Sequence, residues 1–177
     1  MRKLIILAAP LALLASPALA QTADVTGTVS IDGSVAGRCM FTIPNKTISL
    51  GELSLASTGK LDVSKVNGRS ETLTGWCNNT AATMTVTTTQ LTTPTGAPSG
   101  FDNRVDYTAT ATTGSVSAND TSLTAGAGAP STVGLFNGTI TVVLSAASSP
   151  NNALMVAGNY TGNVVVTLTP SISLPPE

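Results

Sequence analysis

The chain has 177 residues, 42% hydrophobic and only 10% charged, with eight basic residues against nine acidic ones, two cysteines and no histidine. A balance this close to neutral gives no electrostatic case for binding nucleic acid or anionic lipid. The lack of histidine removes both the commonest general base and the commonest metal ligand.

Residues 1–20 have the form of a secretory signal peptide. Arg2 and Lys3 precede an apolar run at 4–14, and Ala18-Leu19-Ala20 is a small-x-small cleavage signal. The run is too short and wrongly flanked for a spanning helix, and no later segment approaches the ~20 apolar residues a span needs. The mature chain is therefore expected to start near Gln21, outside the cytoplasm, with a length that suits one domain and its own core. In an exported chain the pair Cys39 and Cys77 reads as a disulfide. The loop it closes is worth about 4 kcal/mol in the chain-entropy model. Two thiols without histidine do not make a zinc site.

After the leader, alternation with period two replaces any helical period. Val25, Gly27, Val29, Ile31, Gly33 and Val35 share one phase, with Thr26, Thr28, Ser30, Asp32 and Ser34 on the other. Ile48 and Leu50 alternate next, until the phase slips at Gly51-Glu52 and Leu53 and Leu55 take over. A slip beside a glycine predicts a bulge or a strand that changes sheets. Further strands are predicted at Leu73, Gly75 and Cys77; at Ala82, Met84 and Val86; and at Val105, Tyr107, Ala109 and Ala111. The last two run through Phe136, Ile140, Val142 and Leu144, and through Tyr160, Val164, Val166 and Leu168. Thr and Val dominate these segments and favour strands. Turn residues cluster between them at 94–100, 114–117, 125–130 and 148–152. Short strands punctuated in this way predict an all-β fold, an Ig-like β-sandwich. Trp76, beside Cys77, is expected to pack in the core against the disulfide, and Tyr107 and Tyr160 are expected there too.

Little in the chain points to chemistry. Gly126-Ala127-Gly128 lacks the Gly-Lys-Ser/Thr that completes a phosphate loop. Asp102, Asp106 and Asp120 have no calcium-loop spacing. Asp24 and Asp32 lie on the polar face of the first alternating segment, and serine nucleophiles have no histidine to activate them. The Asn-x-Thr triplets at Asn45 and Asn137 read as turn residues. No catalytic residue, metal site or cofactor is expected, and the chain is not expected to be an enzyme.

The run GTVSIDGSVAGRC at 27–39, then TISLGELSLAST at 47–58, then the second cysteine at 77, together resemble the major subunits of type 1 fimbriae and related chaperone–usher pilins. Gly158-Asn159-Tyr160, leading into the last strand, is more distantly similar to spore coat U-like secreted proteins. The pilin resemblance implies an Ig-like sandwich that lacks its final strand and carries an N-terminal donor-strand arm. It divides the chain into a signal peptide at 1–20, a donor-strand extension at 21–37, a pilin domain at 38–170 and a tail at 171–177. The donor strand would present Val25, Gly27, Val29, Ile31, Gly33 and Val35. The acceptor groove would be walled by Ile48 and Leu50 of strand A, which holds the Leu50-Gly51 pair, and by Val164, Val166 and Leu168 of the last strand. Cys77 would close strand B.

The implied partners are copies of the same chain joined head to tail, a periplasmic pilus chaperone and an outer-membrane usher. No nucleic acid and no membrane span enter. The implied function is a structural fimbrial subunit at the cell surface that supports adhesion. The chain departs from the family at its end, where Thr169-Pro170 leads into a tail without Tyr or Phe. Two other readings stay open: a stand-alone secreted sandwich of coat type, completed by its own first strand, and a small adhesin-like binding module.

Overall fold

The structure, a computed structural model, describes residues 24–171. The expected signal peptide and residues 172–177 of the tail lie outside them. The chain divides between Ser34 and Val35 into two units.

In the first unit, residues 24–34 form no strand and are exposed throughout. The apolar phase of the alternation points into solvent, with Val25 96%, Val29 85% and Ile31 92% exposed. Side chains of this kind at period two suit a buried sheet face, yet among the described residues the segment pairs with no strand.

The second unit is built of β1 (Cys39–Ile43), β2 (Ser70–Cys77), β3 (Thr83–Thr88), β4 (Leu91–Thr92), β5 (Phe101–Asp102), β6 (Arg104–Thr113), β7 (Val116–Thr121), β8 (Ser131–Thr132), β9 (Phe136–Ser148), β10 (Leu154–Met155) and β11 (Val164–Thr169). One turn of 3-10 helix, Val63–Lys65, is capped by the Asp62 side chain, which accepts from the Ser64 amide. The larger sheet runs β1-β2-β9-β6-β4, with β7 also paired to β6; the second runs β11-β3-β8; β5 and β10 form a short parallel pair. Apart from that pair, all the ladders are antiparallel.

The all-β sandwich expected from the alternation is present. The core joins Val105, Tyr107, Ala109 and Ala111 of β6 with Ile140, Val142 and Leu144 of β9, and sets them against Met84 and Val86 of β3 and Val166 of β11. In constant-type Ig domains one sheet runs A-B-E-D and the other C-F-G. Here β1, β2, β9 and β6 stand in the first order, and β3 and β11 stand as C and F. Among the described residues no strand occupies the G position beside β11.

Cys39 and Cys77 are bonded, as expected, and face one another across the β1–β2 ladder with Cα atoms 4.1 Å apart. At Gly75 a Cβ would stand 2.8 Å from the Met40 carbonyl oxygen and 3.3 Å from the Phe41 ring, so a side chain there would push β1 away.

Three expectations are corrected. Residues 44–53 form no ladder, so Ile48 and Leu50 lie in an extended wall that lacks sheet partners. The phase slip beyond them has a backbone cause, since Gly51 sits at φ +69°, where only glycine is unstrained. Trp76 is half-buried on the outer face of its sheet, opposite Met40 and Asn137, because Leu73, Gly75 and Cys77 take the inward phase of β2. Tyr160 precedes β11 and is not part of it. It is half-buried against the core, with its hydroxyl donating to the Val156 carbonyl at 2.8 Å. Tyr107 is in the core, only 3% exposed.

Candidate functional site

A two-layer sandwich has two lateral seams, and in this one they differ. Along β3 and β7 the seam is closed. The Thr88 backbone N–H and hydroxyl both donate to Asp120 Oδ2, at 2.7 and 2.8 Å, and the Gly128 N–H donates to the Val86 carbonyl at 2.9 Å. Asp120 is only 6% exposed, and its two donors meet the hydrogen-bond demand of a buried carboxylate.

The opposite seam, between residues 46–53 and the segment leading into β11, is open. A depression of about 240 Å³ there is lined by Ile48, Leu50, Leu73, Leu91, Tyr107, Val142, Leu144 and Val164, with Lys46 and Glu71. A second depression, of about 730 Å³, shares Ile48, Leu50 and Leu91 and continues past Leu53 to residues 155–163. Together they form a groove of mixed polar and apolar lining, whose apolar side chains belong to the core or pack against it. The segment before β11 is held from within: Thr89 and Thr92 accept or donate backbone bonds with Asn163 and Thr161 at 2.9 to 3.0 Å. Gly162 permits this approach, since a Cβ there would lie 2.8 Å from the Gln90 carbonyl oxygen. The other edge of β11 has no partner among the described residues. Its unpaired amides and carbonyls are the feature of a sheet edge that invites another strand.

Ile48, Leu50 and Val164 come together in one cavity wall. Val166 and Leu168 sit further along β11, facing inward, Val166 buried and Leu168 packed against the core. The floor was not identified as such from the sequence. Leu73, Val142, Leu144 and Tyr107 fall on inward phases of the alternation, but alternation alone cannot tell a covered core position from an uncovered one. The residues expected to form the donor strand, Val25, Gly27, Val29, Ile31, Gly33 and Val35, are all exposed, and neither glycine of the set has an atom within 4 Å of its would-be Cβ.

The body grips the root of the arm. The Asn78 side chain accepts from the Arg38 N–H and donates to the Ala36 carbonyl at 3.1 Å, and the Asn78 N–H donates to the Arg38 carbonyl at 3.0 Å. These bonds carry the β1–β2 pairing back as far as Ala36, and ordered pairing stops there.

Two other polar features are structural. Asp102 accepts from the Asn151 N–H, the Asn151 side chain and the Ala153 N–H, tying the loop at 149–153 to β5. Burial alone would raise this carboxyl; the donors from Ala153 and Asn151 outweigh it and hold the group below the ordinary range. Asp106 accepts from Arg104 at 3.1 Å and from the Ser122 hydroxyl at 3.3 Å.

Tyr107 gives the groove floor a spectroscopic reporter. Its hydroxyl donates to the Asn163 carbonyl at 3.2 Å. Burial, with the charge of Asp120 behind it, pushes the phenol up to about 12. Between the ordinary tyrosine range, ~10, and about 12, the unfolded chain loses a proton that the folded chain keeps. Stability will therefore fall across that window and level off above it. Tyr107→Phe will reduce the fall, leaving the share of Tyr160, whose phenol burial also raises. The checks are the phenolate absorbance of native protein and denaturation midpoints at stepped alkaline pH.

Comparison of the chain with protein-family models, with curated proteins and with solved structures finds no match in any of the three.

Proposed function

We propose that this chain is the structural subunit of a bacterial surface fimbria, polymerised when the arm of one copy fills the groove of the next. The observation that supports it most is the open seam. The sandwich has the Ig strand order up to F, a bare edge on β11, and a groove beside the start of that strand whose apolar side chains reach the core. The arm has the complementary form. It alternates strictly, carries no proline to break a ladder, and at eleven residues spans about 36 Å when extended. Strand addition to an exposed edge is a general mode of recognition, and chaperone–pilin complementation is one of its named examples. Insertion of this kind is head to tail and does not close on itself, so it builds a fibre.

Under this reading the chain is exported through the periplasm, is kept soluble there by a pilus chaperone, passes an outer-membrane usher and supports adhesion. It has no chemistry of its own. The resemblance to fimbrial subunits supports these partners.

The test uses purified mature protein. Incubation at high concentration should give ladders that resist SDS until boiled, and deletion of residues 25–35 should abolish them. A heat-stable monomer that is indifferent to the deletion would instead mean a sandwich complete in itself.

A further inference from the structure

From residue 72 to 171 the only charged side chains are Asp102, Arg104, Asp106 and Asp120. The three aspartates are 1–6% exposed, and Arg104 is paired with Asp106. The outer face of β2, β9, β6 and β7 therefore presents almost no charge beyond that pair at one end. What it presents is chiefly rows of hydroxyls, with Val143 of β9 and Trp76 of β2 among them. Thr72 pairs with Thr141, Thr141 with Thr112, and Thr112 with Ser117, in one row across all four strands. The Thr112 and Ser117 hydroxyls are 2.9 Å apart and bonded. A neighbouring row brings Thr110 opposite Asn119. Each of these residues alternates with an inward one, such as Leu73, Ile140, Ala111 or Ala118.

We infer that this face is the surface on which neighbouring fibres of the same chain pack side by side; the inference rests on the fibre reading above. The occupant is a second copy for three reasons. Hydroxyls both donate and accept, so rows of threonine complement themselves, with methyl groups filling the space between. An identical face brings no like charge, whereas a charged partner would find no counter-charge. Twisted sheets also have a standard way of stacking on one another, ~10 Å apart and about 30° out of line.

Size decides when this contact acts. Four strands about 4.8 Å apart, over some 20 Å of length, give roughly 400 Å² per copy, about half the ~800 Å² per partner of a standard stable interface. Single subunits should stay apart. A fibre repeats the face many times, and linked weak contacts multiply.

The experiment polymerises mature wild-type protein, Thr141→Glu and, on the neighbouring strand, Ser117→Lys. Polymer is read by SDS ladders, and bundling by low-speed sedimentation and fibre width in negative stain. Wild-type fibres should pellet as bundles at low and at high salt alike. Both variants should form the same ladders yet pellet at least about tenfold less at low salt, since like charges facing each other at an interface cost several kcal/mol, with partial recovery as salt screens them. Ladders without bundles in the wild type, or bundles untouched by both variants, would overturn this inference alone. Absence of ladders would overturn the fibre reading and this inference with it.

Discussion

A synthetic peptide of residues 24–35, added in excess to protein that lacks them, should raise the thermal midpoint of that protein by about 10–20 °C. Burial of Val25, Val29, Ile31 and Val35 in the groove is worth roughly 6–12 kcal/mol gross at about 1.5–3 per side chain, an upper bound. Association and ordering take back a large part. A surplus of about 5 kcal/mol at saturation corresponds to the shift stated, at ~2–4 °C per kcal/mol for a body of this size. The body tested retains its whole core, because none of the buried core residues precedes Leu53. A peptide with Val29→Asp and Ile31→Asp would carry two carboxylates into a groove floored by Leu73, Val142 and Leu144 and lined by the cation of Lys46, and should shift the midpoint far less. The measurement is differential scanning fluorimetry across a peptide titration. Equal shifts from both peptides, or none from either, would refute groove filling.

Replacing Cys39 and Cys77 together by alanine should cost about 4 kcal/mol, read as a lower urea midpoint with a somewhat steeper slope, because the unfolded chain without the bridge is less compact. The bridge closes a separation of 38 residues, long enough for the unfolded chain to gain much freedom when it is cut. The loop also contains the groove wall at 46–53, which has no ladder of its own. Loss of the bridge should therefore weaken peptide binding as well as folding. A double variant with an unmoved midpoint would show that the β1–β2 ladder suffices alone.

How far the fold could be read from the sequence depended on where the partners of each segment lie. In β2, β3, β6, β9 and β11 the apolar phase survives in the structure almost residue for residue, because each strand has one face on the core. The same signal at Ile48 and Leu50 led to an expected strand, yet a strand needs neighbours, and the described chain supplies none on either side. The error at Trp76 came from placing an aromatic beside a disulfide in the core, although Leu73, Gly75 and Cys77 had already claimed that face. The buried carboxylates of Asp102, Asp106 and Asp120 could not be foreseen. Their donors are the amides and side chains of Asn151, Ala153, Arg104, Ser122 and Thr88, and only the tertiary fold brings most of these close. The groove was legible only in part: of the residues expected to wall it, Ile48, Leu50 and Val164 line it while Val166 and Leu168 do not, and its floor needed the second sheet in place.

The position of the disulfide has a mechanical consequence. Tension entering the body through Ala36 reaches Cys39 within a few residues and can cross through sulfur to Cys77, so the chain between them cannot be drawn out as slack. Those 38 residues would otherwise add about 130 Å of contour length. In a fibre of the kind proposed, a loaded subunit would thus keep its groove wall at fixed extension, while a reduced one would stretch first at the groove.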